Sequence, residues 1–355
     1  MLLSFRNLLY FSGVILLWSC SDNQPSSHTK KEDSNPKEMR IISDYTIAFY
    51  NVENLFDTFD DPLTSDDDFT PNGEKNWTEE RYQTKLEHIS NVLIGIDKNA
   101  PLLTGLCEVE NKKVLTDLIN EPKLKKASYS FIHYNSPDTR GIDVALLYNT
   151  TYFEVLEHES LEVTFKNHPN VLTRDILYVK GLLNGEIIHL FVNHWSSRRK
   201  GEKETEYKRI EAARVLKTKV DAILATDKKA KILIMGDFND YPNNKSLTNI
   251  LEASLQPKAD EFYNLASKLD RADKGSHFYN DEWGMLDQMM VSNAWLSAKK
   301  GNVLAKKTVE IYKGGEVLYE HNKLGKIPSK TYGGNRYYGG YSDHLAIFLR
   351  LKYKP

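Results

Sequence analysis

Apolar residues along this chain come in short runs, and most of the runs stop abruptly at a polar or acidic residue. Residues 45–52 alternate and then become fully apolar, residues 102–109 are apolar as far as Glu108, and residues 232–235 are too short a run for a helix. Runs of this length with apolar side chains on both parities predict strands buried on both faces. Residues 129–134, 144–148, 176–183, 187–193, 285–291 and 345–351 read the same way, and Asn184-Gly185 between two of them predicts a hairpin. Longer segments carry helical spacing instead. Thr78, Glu79 and Glu80 form a helix start, and Tyr82, Leu86, Ile89, Leu93 and Ile96 follow on one face. Ile210, Ala213, Leu216, Val220 and Ile223 predict a helix over 204–224, residues 114–119 the first turns of another, and 246–253 a short one. Strands alternate with helices and fall into two groups, so the class is α/β. Residues 299–340 read as loop. The glycine and tyrosine alternation at 332–341 is either a packed Ω-type loop or a set of flat faces for a base or sugar.

The residues that end the apolar runs carry the chemistry. KILIMGDFND, at 231–240, passes from strand to Asp237 and Asn239. This is either a plain Asp/Asn turn or a carboxylate and a carboxamide at a strand mouth, where loops of α/β proteins gather over a crevice. Asn51 and Glu53 leave the first strand in the same way, Glu108 the second, and His194 the arm after the hairpin, while Asp343 and His344 precede the last strand. A carboxylate at the end of an apolar strand is costly unless it is paired, solvated or bound to a cation. Asp287 among apolar neighbours is therefore a partner for a cation or a sign that the strand is misread. Arg140, at a turn, is a fork for phosphate or a surface arginine. His194 is followed by Trp195 and by Ser196, Ser197, Arg198, Arg199 and Lys200, a setting suited to holding or protonating an anion. Carboxylates in this number suit a hard, oxygen-seeking cation such as magnesium or manganese. Histidines beside carboxylates, with no candidate serine or cysteine nucleophile, point to water attacking an anionic ester without a covalent intermediate. Asp66, Asp67 and Asp68 read as a solvated loop, with calcium binding as the alternative.

Composition sets the frame for these residues. The 355 residues are 40% hydrophobic and 27% charged, ordinary for a globular chain. A formal net charge of −2 gives no basic field of the kind that binds long duplexes. Only Cys20 and Cys107 are present, so no disulfide framework or cysteine zinc site is available. Arg6 and the apolar run at 8–17 predict a secretory signal over residues 1–20, with an uncleaved membrane anchor as the alternative. Leu17, Trp18, Ser19 and Cys20 resemble a bacterial lipoprotein cleavage site, which implies a lipid on Cys20 and a chain exported and anchored to the cell envelope. Residues 21–43, rich in Ser, Asn, Lys, Glu and Pro, read as a disordered tether, and the folded body spans 44–355.

The motifs NVEN, CEVEN, RGIDVALLY, VNHW, GDFND, MLDQM and YSDH stand in this order over roughly residues 46–351. Together they resemble the endonuclease/exonuclease/phosphatase superfamily, which includes deoxyribonuclease I. The resemblance implies a four-layer α/β/β/α sandwich, deoxyribonuclease I-like, with a metal site at one edge of two facing sheets. It implies Glu108 as chief metal ligand with Glu53 and Asp343 assisting, magnesium as the ion and manganese as a substitute, and Asn51 in the phosphate network. Asp237 resembles the residue that orients or deprotonates water, and Asn239 the one that steadies the phosphoryl group. His344 resembles a transition-state stabiliser or acid aligned by Asp287, and His194 and Arg140 match phosphate contacts. The function implied is a metal-dependent phosphodiester hydrolase, foremost a nuclease outside the cytoplasm, working as a monomer on nucleic acid or another phosphodiester. A phospholipid or small phosphate ester is the alternative substrate, and a non-catalytic surface lipoprotein the alternative class. Asp240 after Asn239, and the run Trp283, Gly284, Met285, Leu286, Asp287, depart from the inositol phosphatase pattern.

Overall fold

The computed structural model describes residues 40–258, 261–270 and 274–355. The expected signal at 1–20, Cys20 with its lipid, and residues 21–39 of the expected tether lie outside the described residues. The first strand among the described residues opens at Asp44.

In chain order the first half contains β1 (Asp44–Leu55), α1 (Glu79–Ile96), β2 (Leu103–Val109), α2 (Lys112–Ile119), β3 (Tyr129–His133) and β4 (Asp143–Asn149). It continues through β5 (Phe153–Leu161), β6 (Ile176–Leu183), β7 (Glu186–His194), α3 (Glu202–Thr226) and β8 (Lys231–Asp237). The second half is richer in short strands: β9 (Ala253–Ser254), β10 (Phe262–Asn264), β11 (His277–Tyr279), β12 (Glu282–Gly284), β13 (Asp287–Val291), β14 (Gly301–Leu304) and β15 (Glu310–Ile311). Then come β16 (Leu318–His321), β17 (Gly325–Pro328), β18 (Tyr332–Gly333), β19 (Arg336–Tyr337) and β20 (Ile347–Lys354). One seven-stranded sheet has the order β14-β20-β1-β2-β4-β3, with β15 also on β20; the other has the order β5-β6-β7-β8-β13-β10-β9.

Strand parity sorts the apolar residues into layers, because successive side chains point to opposite faces. Ile47 and Phe49 of β1 meet Leu190 and Val192 of β7 and Leu233 and Met235 of β8 in one core between the sheets. Ala48, Tyr50 and Val52, from the other face of β1, pack against α1 and α2. Ile232 and Ile234 of β8 pack against α3. The result is the four-layer α/β/β/α sandwich. Every apolar position expected on the faces of α1 and α3 is buried. Cys107 is a free thiol in the core between the sheets. Among the described residues, no helix is long and apolar enough to cross a membrane.

Four expectations change. β5 was not foreseen, because it is an edge strand whose acidic, largely uncovered side chains hide the alternation. The segment at 299–340 is not plain loop but contains β14 to β19, in pieces too short to show a period. The helix expected over 246–253 is a five-residue π-type turn at Ser246–Ile250 that gives way to β9. The strand expected from residue 285 starts at Asp287, so that carboxylate opens the strand and does not interrupt it.

Candidate active site

The same parity that builds the core delivers the polar residues. On β7 the inward row runs Ile188, Leu190, Val192 and ends at His194, opposite Asp237 of the parallel β8. On β8 it runs Leu233, Met235, Asp237. β13 is antiparallel to β8, so its first inward residue, Asp287, pairs with Asp237 before Met289 and Val291 enter the core. In the facing sheet, β1 carries Ile47, Phe49 and then Asn51, which pairs with Cys107 of β2. Four strands thus end their core-facing rows in polar side chains at one edge of the sandwich.

The backbone is irregular at this edge. The β1–β2 register shifts between Asn51 and Leu55, and the β2–β4 register between Cys107 and Val109. Glu53, Asn54, Glu108 and Asn239 take left-handed φ values of 53°, 58°, 62° and 50°. A bulge re-aims a side chain, and such backbone costs of order 1–3 kcal/mol per residue, which persists only where the surroundings enforce it. Here the enforcing contacts are visible. Asn51 Oδ1 accepts from the Glu53 N–H at 3.0 Å, Glu108 Oε2 from the Asn54 N–H at 3.0 Å, and Asp237 Oδ1 from the Asn239 N–H at 2.9 Å.

Asp237 is the centre of the cluster. Its Oδ2 accepts from Asn51 Nδ2 at 3.1 Å and lies 3.8 Å from His194 Nε2 and 3.9 Å from His344 Nε2. His194 Nε2 is also 3.8 Å from Glu108 Oε1, and His344 Nδ1 is 2.7 Å from Asp287 Oδ2, the oxygen that also accepts from the Ser276 hydroxyl. Asn239 Nδ2 donates to the Trp195 carbonyl at 3.0 Å. Among the described residues, His194 Nδ1 and Asp287 Oδ1 are buried with no hydrogen-bond partner.

Burial and neighbours set the charges apart. Burial raises Asp237 to about 7, with Asp287 and Glu108 adding to the shift and His344 opposing it. Burial pushes His344 down, but Asp287, Asp343 and Asp237 together hold it well above 6.5. His194 is driven well below 6.5 by burial and then by Arg174, Arg140 and His344. One histidine is a cation and the other neutral, an arrangement that separates acid and base roles.

The oxygen donors of Glu108, Asp237, Asp343 and Asn51 suit a hard divalent cation, and Glu108 spends only Oε2 on the backbone of its own edge. The expected trio of Glu108, Glu53 and Asp343 is not brought together as ligands. Among the described residues, the groups of three whose ligand atoms lie within 4.8 Å are His277, Asp343 and His344, and Asp237, Asp287 and His344. Glu53 is held by backbone donors. Its two carboxylate oxygens accept the Thr331 N–H at 2.6 Å and the Tyr332 N–H at 3.1 Å, so it anchors the segment that leads to His344.

Lys85 works with it and was missed. This fully buried ammonium, on the inner face of α1, donates to Thr331 Oγ1 at 2.6 Å and to the Tyr341 carbonyl at 2.7 Å. Its signal in the sequence is a lysine beside Leu86 on the apolar stripe of α1. Ser342 Oγ completes the attachment by donating to the Asn51 carbonyl and accepting from the His344 N–H. Three of the four tyrosines at 332–341 follow the packed reading: Tyr332 sits against Phe69 and Trp77, Tyr337 under Arg81, and Tyr341 stacks on His88 at 4.0 Å, while Tyr338 stays exposed.

Arg140 is half-exposed, with Nε 3.7 Å from Asp138 Oδ1. A second arginine, Arg174, was not foreseen: it is buried, pairs with Asp138 at 2.7 Å and donates to the carbonyls of His194 and Trp195. Arg198, expected to be part of a basic cluster for an anion, turns inward to the Asn239 carbonyl and Asp240. Asp240 also pairs with the buried Arg209 at 2.6 Å and accepts from Ser246 Oγ. These contacts pin the turn that carries Asn239.

Comparison with known proteins agrees with this architecture. No curated protein sequence matches the chain. Among solved structures it is similar to the mannosyl-6-phosphatase of Bacteroides thetaiotaomicron, at 16% identity and TM-score 0.55, with 87% of this chain and 100% of that one covered. An endonuclease/exonuclease/phosphatase family protein of the same organism matches at 15% identity and TM-score 0.54, over 88% and 99% of the two chains. TDP2 of D. rerio, solved in complex with a single-strand DNA product, matches at 14% identity and TM-score 0.53, over 88% and 100%. At these identities the likeness establishes the fold. The family model described as Endonuclease/Exonuclease/phosphatase family matches residues 46–353, and the chain belongs to that family.

Proposed function

We propose that this chain is a metal-dependent phosphodiester hydrolase, foremost a nuclease acting outside the cytoplasm, in which Asp237 accepts a proton from the attacking water. The observation that carries this reading is the placement of Asp237 Oδ2 between His194 Nε2 and His344 Nε2, with Glu108 Oε1 beside His194. A divalent cation would be held by Glu108 with Asp343 and Asn51, and would supply charge neutralisation at the phosphoryl oxygens. The protein's own groups account for the proton movements. Asp237, raised to about 7 and fixed by Asn51 and the Asn239 N–H, takes the water proton as the oxygen attacks phosphorus. The ester P–O bond breaks, and the leaving oxygen takes a proton from His344, whose imidazolium is supported by Asp287. His194 and Asn239 steady the phosphoryl oxygens, and Arg140, beside Asp138, meets phosphate from the rim. Lipidation of Cys20 and the tether at 21–43 would hold this body at a membrane.

The test is an assay of the purified chain with magnesium or manganese against plasmid, oligonucleotides, sphingomyelin, inositol phosphates and a hexose 6-phosphate. Cleavage of nucleic acid that disappears with Asp237→Asn is the expected result. Turnover confined to the hexose phosphate would replace the nuclease reading with a phosphatase, and inactivity on all would remove the enzyme reading.

A further inference from the structure

Beside the catalytic row stand two hairpins to which the hydrolytic chemistry gives no task. β11 and β12 are joined by Asn280 and Asp281, both left-handed at φ 49° and 64°, the backbone of a tight primed turn. β16 and β17 form the other hairpin, whose turn is fastened by His321 Nδ1 accepting the Lys323 and Leu324 N–H groups. Each hairpin carries a tyrosine and a histidine two positions apart on one strand, the spacing that shares a face. His277 and Tyr279 have ring centroids 6.2 Å apart, and so do Tyr319 and His321. Both pairs line one cavity of about 460 Å³, which Asp343 and Lys330 also border.

This cavity opens onto the site already described. His277 is bridged through its backbone to His344, and their rings lie 4.5 Å apart. Tyr279 is 68% exposed and Tyr319 41%. Aromatic faces left open on paired strands mark a recognition surface, since their rings lose little freedom when a ligand arrives.

We propose that the cavity is a nucleobase subsite, which holds the base of a nucleotide while its phosphate lies among Asp237, His194 and His344. The inference rests on the phosphodiesterase reading and deepens it. The lining brings five rings, from His277, Phe278, Tyr279, Tyr319 and His321, together with Asn280, Asp281 and Asp343, whose polar atoms can meet the edge of a base. Any base can stack on such faces, with Lys330 at the border available to a flanking phosphate. A base inside a duplex cannot enter without unpairing, so the substrate class is a single strand or a mononucleotide ester. The net charge of −2 fits that class, because tight duplex binding depends on neutralising many phosphates.

The experiment compares thymidine 5′-(p-nitrophenyl phosphate) with methyl p-nitrophenyl phosphate, which share the leaving group and differ in the nucleoside. The full chain should favour the nucleoside ester in kcat/KM. Tyr279→Ala and Tyr319→Ala should each lower that preference roughly tenfold, mainly through KM, in the range of base–aromatic stacking. Binding of thymidine 5′-monophosphate, followed by tyrosine fluorescence, should weaken to the same extent and resist competition by mannose 6-phosphate. A preference that stays within twofold of the unsubstituted chain in both variants would overturn the subsite, as would monophosphate binding that neither variant weakens. If neither ester is hydrolysed, the phosphodiesterase reading fails, and the binding measurement still decides the subsite.

Discussion

His344 and Asp287 form a buried pair, Nδ1 to Oδ2 at 2.7 Å, in which Asp287 shares the same oxygen with Ser276. Burial alone would push the imidazole down, so its raised pKa depends on the carboxylates around it, Asp287 first. A group raised in this way is protonated at low and neutral pH and loses its proton as pH climbs through the raised value. Asp287→Asn should therefore move the alkaline limb of kcat toward lower pH, and at pH 8 turnover should fall about 10²-fold, within the usual range for general acid catalysis. A pH–rate profile checks it. An unshifted alkaline limb would separate Asp287 from the protonation of His344.

Asp237 carries a prediction about stability. Its carboxyl is raised to about 7 from an ordinary 3.8, so without metal the unfolded chain ionises more readily than the folded one. Folded stability is then fullest below the unfolded value and declines as pH rises from about 4 toward 7. In the presence of a chelator, Asp237→Asn should melt at or above the temperature of the unsubstituted chain at pH 7.5, and the gap should close near pH 4. The same variant should lose about 10²–10⁴-fold in kcat with metal present. A lower melting temperature at neutral pH would make Asp237 a structural residue.

Much of this was legible from particular residues. Asp237, Asn51, His194 and Asp287 could be found because a strand's alternation continues past its apolar residues, and each stands in register at the end of an inward row. Glu53 was visible as a carboxylate at a strand exit, but its work was not. What occupies its oxygens is the backbone of Thr331 and Tyr332, 278 and 279 positions away, a contact no local pattern encodes. Arg174 and Lys85 were hidden for a related reason. A basic residue looks solvated in sequence until the fold supplies Asp138 for one and Glu53 for the other. β5 escaped because edge strands carry charge.

The attachment of residues 331–342 gives a prediction of its own. Burial draws Glu53 up to about 7 and Lys85 down to about 8, and their mutual attraction counters both shifts. Lys85→Met removes the cation while leaving Glu53 buried and the Tyr341 carbonyl without its donor. Removing this buried donor and its charge should cost about 1–3 kcal/mol, which denaturant unfolding should register. Lys85→Met with Glu53→Gln should recover part of that loss, because the uncompensated charge is gone. Full additivity of the two substitutions would show that the groups act independently.

Metal binding should be readable without turnover. A cation that binds the folded chain alone stabilises it by about 2.7 kcal/mol at a hundred times its dissociation constant. Magnesium or manganese should therefore raise the melting temperature of the unsubstituted chain, and a chelator should reverse the rise together with activity. Glu108→Gln keeps the shape of a side chain whose Oε2 faces the Asn54 N–H, but removes a carboxylate 3.8 Å from His194. The metal-induced rise should nearly vanish in that variant while its metal-free melting temperature stays close to that of the unsubstituted chain. Glu53→Gln should behave differently, losing stability with or without metal, because its oxygens hold Thr331 and Tyr332. If Glu53→Gln instead loses the metal-induced rise as completely as Glu108→Gln, Glu53 is a ligand after all and its loop contacts give way when the ion arrives.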